Sequence, residues 1–428
     1  MKRTYISNIC DGDNCKVQGF VENIRNKHTM AFIVVRDITG KIQITVNKTE
    51  SPELVETINK ITLESFITVE GKAVKNDYVK LNKIEILPVS ISIDSIAEPL
   101  PIQPDASIDL KMDYRWLELR NRKNQLIFQV QTYITKVMRD FFLERNFLEI
   151  HSPKLIGAAS ESGSDVFELK YFDRKAFLSQ SPQFYKQMAM ASGFERIFEI
   201  GPVFRAEKSY TNKHTTEFTG FDVEMSCIES FNDIMDIEQE LIVEVIKKVK
   251  EKFGDEIQEL FNQEVIVPTV PFPTISLKDL YKELEEKYNY VLPDSEKGDL
   301  TTEAEKLSYK YVKETYNHEF LFVTNFSKDK RPFYHMRKDD IPQGYDLIWK
   351  GVEITTGSQR EHRYDILKQQ AEEKGLGEDV KFYTEFFRYG CPPHGGFGIG
   401  IDRLTMLFLG IGIKDVMFIF RGQNRLNP

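Results

Sequence analysis

Up to about residue 96 the apolar residues alternate with polar ones in short runs: CKVQGFVENI, MAFIVVRD, KIQITVNK, FITVEGKAV and YVKLNKIEIL. Alternation with period two predicts half-buried strands, because successive side chains point to opposite faces. One stretch of helical spacing, PELVETINKI, interrupts the series before the fourth strand. Five strands with a helix inserted late match a small closed barrel of the OB type, with another small β domain as the alternative.

The segment EPLPIQPD follows with three prolines, which neither a helix interior nor a central strand accommodates. It marks a linker, placed at 97–128, between a barrel at 1–96 and a larger domain at 129–428. Past it, NQLIFQVQTYITKVMRDFFLERNF carries apolar residues at helical spacing and runs into a strand, LEIHSP, that must end at Pro153. Strands and helices then intermix without a regular βαβα alternation. Long helices are expected near FNDIMDIEQELIVEVIKKVKEKF and TTEAEKLSYKYVKETY. The fold class is α+β, a barrel followed by a larger mixed domain.

Composition narrows the function only in part. The 428 residues carry 57 Lys and Arg against 66 Asp and Glu, so the chain as a whole is no general polyanion binder. Residues 1–50 hold eight basic and five acidic side chains and 51–100 the reverse, which leaves the barrel neutral and the excess acid beyond it. Cys10, Cys15, Cys227 and Cys391 lack zinc-type spacing and read as isolated buried thiols. With no leader pattern and no run long enough to span a bilayer, the expectation is a cytoplasmic protein without a membrane partner. Neither a GxxxxGK[ST] loop nor a dinucleotide fingerprint occurs, so a nucleotide must be held some other way.

Four clusters carry polar chemistry: SESGSDVF (160–167), FLSQSPQFYKQ (177–187), FRAEKSYTNKHTTEF (204–218), and the pair GVEITTGSQREHRYD (351–365) with YGCPPHGGFGIGIDRL (389–404). Each alone has a plain explanation: turn polars, a solvated hairpin, a glycine run that lets strands pack closely. Arg205 and Glu207 share a strand face by the period of two, as an ion pair or as ligand contacts. Together the clusters suggest more. HGGFGIGIDRL is a glycine-rich strand entering a helix, so backbone can approach a flat ligand while Arg403 offers a fixed charge to phosphate. Glu353 and Thr356 supply hard oxygens suited to Mg²⁺, and Arg360 can meet a carboxylate bidentately.

GPVFRAE with the downstream Phe218 resembles motif 2 of the class II aminoacyl-tRNA synthetases, and GFGIGIDRL resembles their motif 3. The long helix leading to EIHSPK resembles motif 1 with its proline. With the barrel in front, the resemblance covers essentially the whole chain. It is strongest to the aspartyl-tRNA synthetases of the compact archaeal and eukaryotic style, within the aspartyl, asparaginyl and lysyl subgroup.

The resemblance implies a set of roles. Arg205 binds the ATP α-phosphate and the substrate α-carboxylate, Glu207 the adenine amino group, and Phe218 and Arg403 sandwich the adenine beside Gly400. Lys213 and His214 touch the triphosphate. Glu353 and Thr356 hold Mg²⁺, with Thr356 also close to the amino acid. Glu161 and Gln183 meet the α-ammonium, while Lys186 and Arg360 grip the side-chain carboxylate with Asp222 and Asp346 nearby. Phe32, Gln43 and Glu85 stack on and read the anticodon, as single-stranded RNA is usually read. Glu22 falls near its third base. SESGS departs from the commoner SEGGS, and IRNKHTMAF lacks the glycine frequent in this hairpin.

The implied reaction joins L-aspartate and ATP into aspartyl-adenylate and transfers the aspartyl group to tRNA-Asp, in a homodimer. Charging of tRNA-Asn is left open. QSPQFYKQ and PPHGG take the aspartyl form, whereas asparaginyl enzymes, the alternative, lack the lysine of YKQ. A regulatory paralogue without catalysis predicts decay at Arg205, Glu207, Glu353, Arg360 or Arg403, and none has decayed. An ammonia-dependent asparagine synthetase on the same fold is disfavoured by the barrel.

Overall fold

The computed structural model describes residues 1–158, 166–206 and 215–428. It divides into two compact units, Met1–Gln125 and Leu126–Pro428.

In the first unit, β1 (Asn14–Asn26), β2 (Met30–Arg36), β3 (Lys41–Asn47), β4 (Phe66–Lys75) and β5 (Ile84–Ser95) close a barrel in the order β1-β2-β3-β5-β4, with α1 (Val55–Lys60) between β3 and β4. The alternation seen in the sequence is what fills it: Val17, Val21, Ile33, Val35, Ile44, Val69 and Ile86 all point inward and are buried. The five expected strands are present, but the last starts later than expected. Residues 78–83 lie outside it, and the strand instead runs on through PVSISIDS. Pro88 is tolerated there because it stands opposite Gly71, where the register slips. Only Cys15 of the four cysteines is buried. Cys10 and Cys227 are exposed and Cys391 is intermediate, so the expectation of buried thiols fails for three of them.

The second unit is built on an eight-stranded sheet. Its strands are β6 (Leu148–Glu149), β7 (Arg196–Phe204), β8 (Glu217–Ser226), β9 (Thr274–Ser276), β10 (Phe320–Thr324), β11 (Gly344–Trp349), β12 (Val352–Gln359) and β13 (His394–Gly400), in the order β9-β10-β11-β12-β13-β8-β7-β6. Only the outermost pairs, β9 with β10 and β7 with β6, are parallel. α2 (Arg122–Leu143) buries Leu126, Val130, Ile134 and Phe142 at helical spacing. Phe142 stacks on Phe198 of β7 and Phe221 of β8 with centroids 5.8 and 5.5 Å away, which ties the helix to the sheet. Besides α3 (Gln183–Ala191) come α4 (Asn232–Phe261), a helix at Thr302–Tyr316, and α5 (Ile401–Leu409), which follows β13 directly. The strand expected to end at Pro153 is shorter, stopping at Glu149. What orders SPK beyond it is Glu199, whose Oε1 accepts from Ser152 N, Ser152 Oγ and Lys154 Nζ at 2.9, 3.0 and 2.6 Å.

Candidate active site

β7 and β8 form a hairpin with Phe204 opposite Glu217. Arg205 stands just past the strand, although its N–H still donates to Thr216 O at 2.9 Å. Around this hairpin, α3, β12, β13 and the start of α5 enclose a cavity of about 290 Å³. It is lined by Gln183, Lys186, Arg205, Phe218, Asp222, Glu353, Thr356, Arg360, Gly400 and Arg403, ten of the residues singled out in the sequence. Glu161, Glu207, Lys213 and His214 lie outside the described residues.

At one end of the cavity four charged side chains are buried together. Lys186 Nζ donates to Asp222 Oδ1 at 2.9 Å and pairs with Glu224 Oε2 at 3.4 Å. Arg360 meets the two oxygens of Glu224 through Nε and Nη2 at 3.0 and 3.4 Å, and also donates to Ser358 Oγ and Gly396 O. Burial alone pushes the Glu224 carboxyl up, but Arg360 and Lys186 more than offset that and hold it below its ordinary range. Gly396 is required here: a Cβ would lie 2.0 Å from Val223 O and 2.4 Å from Glu224 Oε2.

Glu224 was missed in the sequence, and a signal for it existed. It stands two residues after Asp222 on β8 and so shares its face. His335, also missed, is fully buried beside Arg360, and burial with that neighbouring charge holds its imidazole well below its ordinary range. Tyr334 adds a ring 5.5 Å from the Arg360 guanidinium carbon.

The other end is rich in oxygen ligands. Thr356 Oγ1 donates to Asp346 Oδ1 at 2.9 Å and lies 3.2 Å from Glu353 Oε1. Asp346 was expected beside the substrate side chain. It lies with Glu353 and Thr356, because it pairs with Thr356 across β11 and β12. Its carboxyl is raised to about 6 by burial and Glu353 against the opposing pull of Arg331. Arg331, in the loop between β10 and β11, donates to Asp346 Oδ2 at 2.5 Å, a contact that no local sequence pattern announces. Arg403 donates to Glu353 O at 2.7 Å, and Asp402 anchors the start of α5 by accepting from Gln131 and Thr219. Arg205 faces the ring of Phe218 at 5.5 Å. Two carboxylates and a hydroxyl in contact are a hard donor set, which fits Mg²⁺ held by few protein ligands together with phosphate oxygens.

In the barrel, Gln43 and Glu85 are directly paired across β3 and β5, and Phe32 shares the outer face through its pairing with Thr45. Glu85 is buried. It accepts from Thr45 Oγ1 and Gln43 Nε2 on one oxygen, at 2.5 and 3.1 Å, and from Asn76 Nδ2 on the other at 2.7 Å. Glu22 is paired with Lys41 at 2.5 Å.

Residues 107–420 match the family model of class II tRNA synthetases (D, K and N), and residues 15–96 match that of the OB-fold nucleic acid binding domain. The chain is 40% identical to an aspartate–tRNA(Asp/Asn) ligase of Methanopyrus kandleri over 98% of its own length and 97% of the relative's. It is likewise 40% identical to an aspartate–tRNA(Asp) ligase of Pyrococcus abyssi, with the same coverage. Among solved structures it superposes on asparaginyl-tRNA synthetase from Pyrococcus horikoshii with a TM-score of 0.91 at 30% identity, over all of both chains. Aspartyl-tRNA synthetase from Entamoeba histolytica gives 0.88 at 32%, over 100% of this chain and 93% of that one. The chain belongs to the class II tRNA synthetases of the D, K and N group, in the branch of the aspartate–tRNA ligases.

Proposed function

We propose that the chain activates L-aspartate with ATP and transfers the aspartyl group to tRNA-Asp. The observation that carries this reading is the position of Lys186. Glu224 and Arg360 by themselves would offer an acceptor and a donor, the pattern that suits a carboxamide. Lys186 pairs with the Glu224 oxygen at 3.4 Å, so that Glu224 is neutralised from two sides and is a poor acceptor for a carboxamide. Of the five N–H groups of Arg360, four are engaged among the described residues, and the fifth, on Nη1, is available to a ligand. A carboxylate is matched by that donor, whereas an amide loses Glu224 as the acceptor for its own N–H groups.

The chemistry needs no general base, since the substrate α-carboxylate is itself the nucleophile toward the α-phosphorus. Arg205 and Arg403 orient the triphosphate, and Phe218 and Arg403 take the two faces of the adenine. Rate comes from in-line positioning and from fixed charge aimed at the developing negative charge. Glu353, Thr356 and Asp346 would hold Mg²⁺, which when bound neutralises phosphate charge. The barrel, residues 1–96, presents Phe32, Gln43 and Glu85 to the anticodon, 97–128 serve as hinge, and 129–428 carry catalysis. Among the described residues no helix is long and apolar enough to cross a membrane, and a cytoplasmic homodimer is part of this reading.

The test is amino-acid-dependent ATP–pyrophosphate exchange. Aspartate should support it, and asparagine should fall below it by roughly 10⁴-fold, the penalty for leaving a site's buried polar groups unpaired. Lys186→Leu should lose most aspartate activation and narrow that ratio, with ATP affinity nearly unchanged. Exchange driven equally well by asparagine in the unaltered protein would assign the chain to the asparaginyl enzymes.

A further inference from the structure

Behind the cavity runs a buried chain of hydrogen bonds that the roles above leave unused. Gln183 and Gln187 are four residues apart on α3 and so lie on one face. Gln183 Nε2 donates to Gln187 Oε1 at 2.8 Å, Tyr383 Oη donates to the same oxygen at 2.7 Å, and Gln187 Nε2 lies 3.0 Å from His394 Nε2. His394 Nδ1 in turn lies 2.8 Å from Pro392 O. Gln187, Tyr383 and His394 are 0% exposed and Gln183 4%.

The polarity of this chain is fixed from its far end. Pro392 O can only accept, so Nδ1 carries the proton. In a neutral imidazole Nε2 then accepts. Burial lowers His394 to about 4, which keeps the ring neutral around pH 7. The amide of Gln187 must therefore turn its N–H groups to His394 and its oxygen to Gln183. That oxygen in turn demands the N–H groups of Gln183. Reversing Gln187 places donor against donor at Gln183 and acceptor against acceptor at His394. Reversing Gln183 places acceptor against acceptor at Gln187, and in so buried a site each orphaned group carries the full desolvation penalty. The carbonyl oxygen of Gln183 is thereby kept off Gln187 and remains for the cavity as an acceptor, beside the second N–H of its amide.

We propose that His394 and Gln187 are positioning residues that hold the Gln183 carboxamide with its oxygen toward the cavity, as an acceptor aimed at the substrate's α-ammonium. The proposal rests on the reading that Gln183 meets that group.

The experiment is a double-mutant cycle in the full-length chain with Gln183→Met, Gln187→Met and the pair. It reads aspartate KM, ATP KM and kcat in the exchange reaction, and inhibition by succinate, which keeps both carboxylates and lacks the ammonium. Gln187→Met should raise aspartate KM roughly tenfold, the scale of one hydrogen bond to a charged group, with kcat, ATP KM and succinate inhibition moving less than about twofold. In the Gln183→Met background it should add nothing. Equal weakening toward aspartate and succinate, or full additivity in the cycle, would overturn the relay. Unaltered protein that binds succinate as tightly as aspartate would instead remove the ammonium contact at Gln183, and the relay with it. His394→Phe is the second variant, because His394 already stacks on Phe387 at 6.0 Å and an aromatic ring keeps that contact while deleting the acceptor. It should raise aspartate KM in the same direction by a smaller factor, and an unchanged ratio of aspartate to succinate binding would count against the proposal.

Discussion

Two buried carboxylates, Glu224 in the catalytic unit and Glu85 in the barrel, are held in opposite ways. Glu224 is 0% exposed and its partners are cations, Arg360 and Lys186. Glu85 is 6% exposed and its partners are neutral: Thr45, Gln43 and Asn76. Mutual neutralisation makes the first cluster rigid, because removing either cation leaves charge stranded in a dry interior. Neutral donors can be exchanged for those of a ligand at the modest net cost of swapping one hydrogen bond for another. Under the proposed function, the pocket would recognise its small substrate with fixed charges, while the barrel face could rearrange its hydrogen bonds around a base.

The largest effect should come from removing Arg360. Arg360→Met leaves Glu224 with Lys186 as its one cation, and breaking a buried pair this way typically costs about 3–5 kcal/mol. Thermal melting should fall accordingly and aspartate-dependent exchange should vanish. Glu85→Gln, the matching change in the barrel, should leave exchange intact. A normal melting curve for Arg360→Met would mean that the pair contributes no such stability, and the contrast drawn above would fail.

Glu238 sharpens the contrast, since it is a buried carboxylate that makes no ion pair among the described residues. It sits on α4 and accepts from Tyr345 Oη at 2.5 Å. Burial, only partly opposed by the hydrogen bond from Tyr345, raises its carboxyl to about 8 from an ordinary 4.5. The native state thus binds a proton that the unfolded state has released. The stability this proton contributes is complete below pH 4.5, falls as pH rises between 4.5 and about 8, and is gone above that. The melting temperature should drop by roughly 5 °C from pH 5 to 8.5, and Glu238→Gln should flatten that fall. Equal slopes for variant and parent would show that Glu238 is ionised in the native protein.

Much of this was legible in the sequence, for physical reasons that differ by region. The barrel was readable because each strand has one face inward, so alternation survives in the text; only β5 was misplaced, where Pro88 and a register slip break the period. The cavity residues on β8, β12 and β13 were readable because strand and helix ends fix their direction locally. Arg331 and the partnership of Asp346 with Glu353 and Thr356 were not, since they depend on how β11 pairs with β12 and on a loop that crosses above them. The His394–Gln187 contact joins residues 207 positions apart and leaves no local trace.

On the barrel side, Phe32→Ala tests the exchangeable face directly. Loss of one base–aromatic stack costs about 1–3 kcal/mol, so KM for tRNA should rise roughly 5- to 150-fold. ATP–pyrophosphate exchange without tRNA should stay at the parent level. A loss of exchange in this variant would place Phe32 in the folding of the catalytic unit instead.

The smallest effect expected is the preference between tRNA-Asp and tRNA-Asn, whose anticodons G-U-C and G-U-U differ at the third base. An ionised carboxylate has about four acceptor sites, and Glu85 uses three of them on Thr45, Gln43 and Asn76. One acceptor remains, suited to a cytosine amino group. Both N–H groups of Gln43 are committed, to Thr45 at 3.0 Å and Glu85 at 3.1 Å, but Asn76 spends only one of its two on Glu85. Its other N–H suits the uracil carbonyl. Glu22, neutralised by Lys41, adds no donor that would choose between them. The cluster thus offers one partner to each base, and a full base-edge readout worth about 1–3 kcal/mol is not built into it. Aspartylation of the two transcripts at equal salt should agree within about tenfold, below the upper end of such a readout. A preference for tRNA-Asp beyond about a hundredfold would mean that Asn76 turns away on binding and leaves Glu85 to select cytosine alone, in which case Asn76→Ala should preserve the preference.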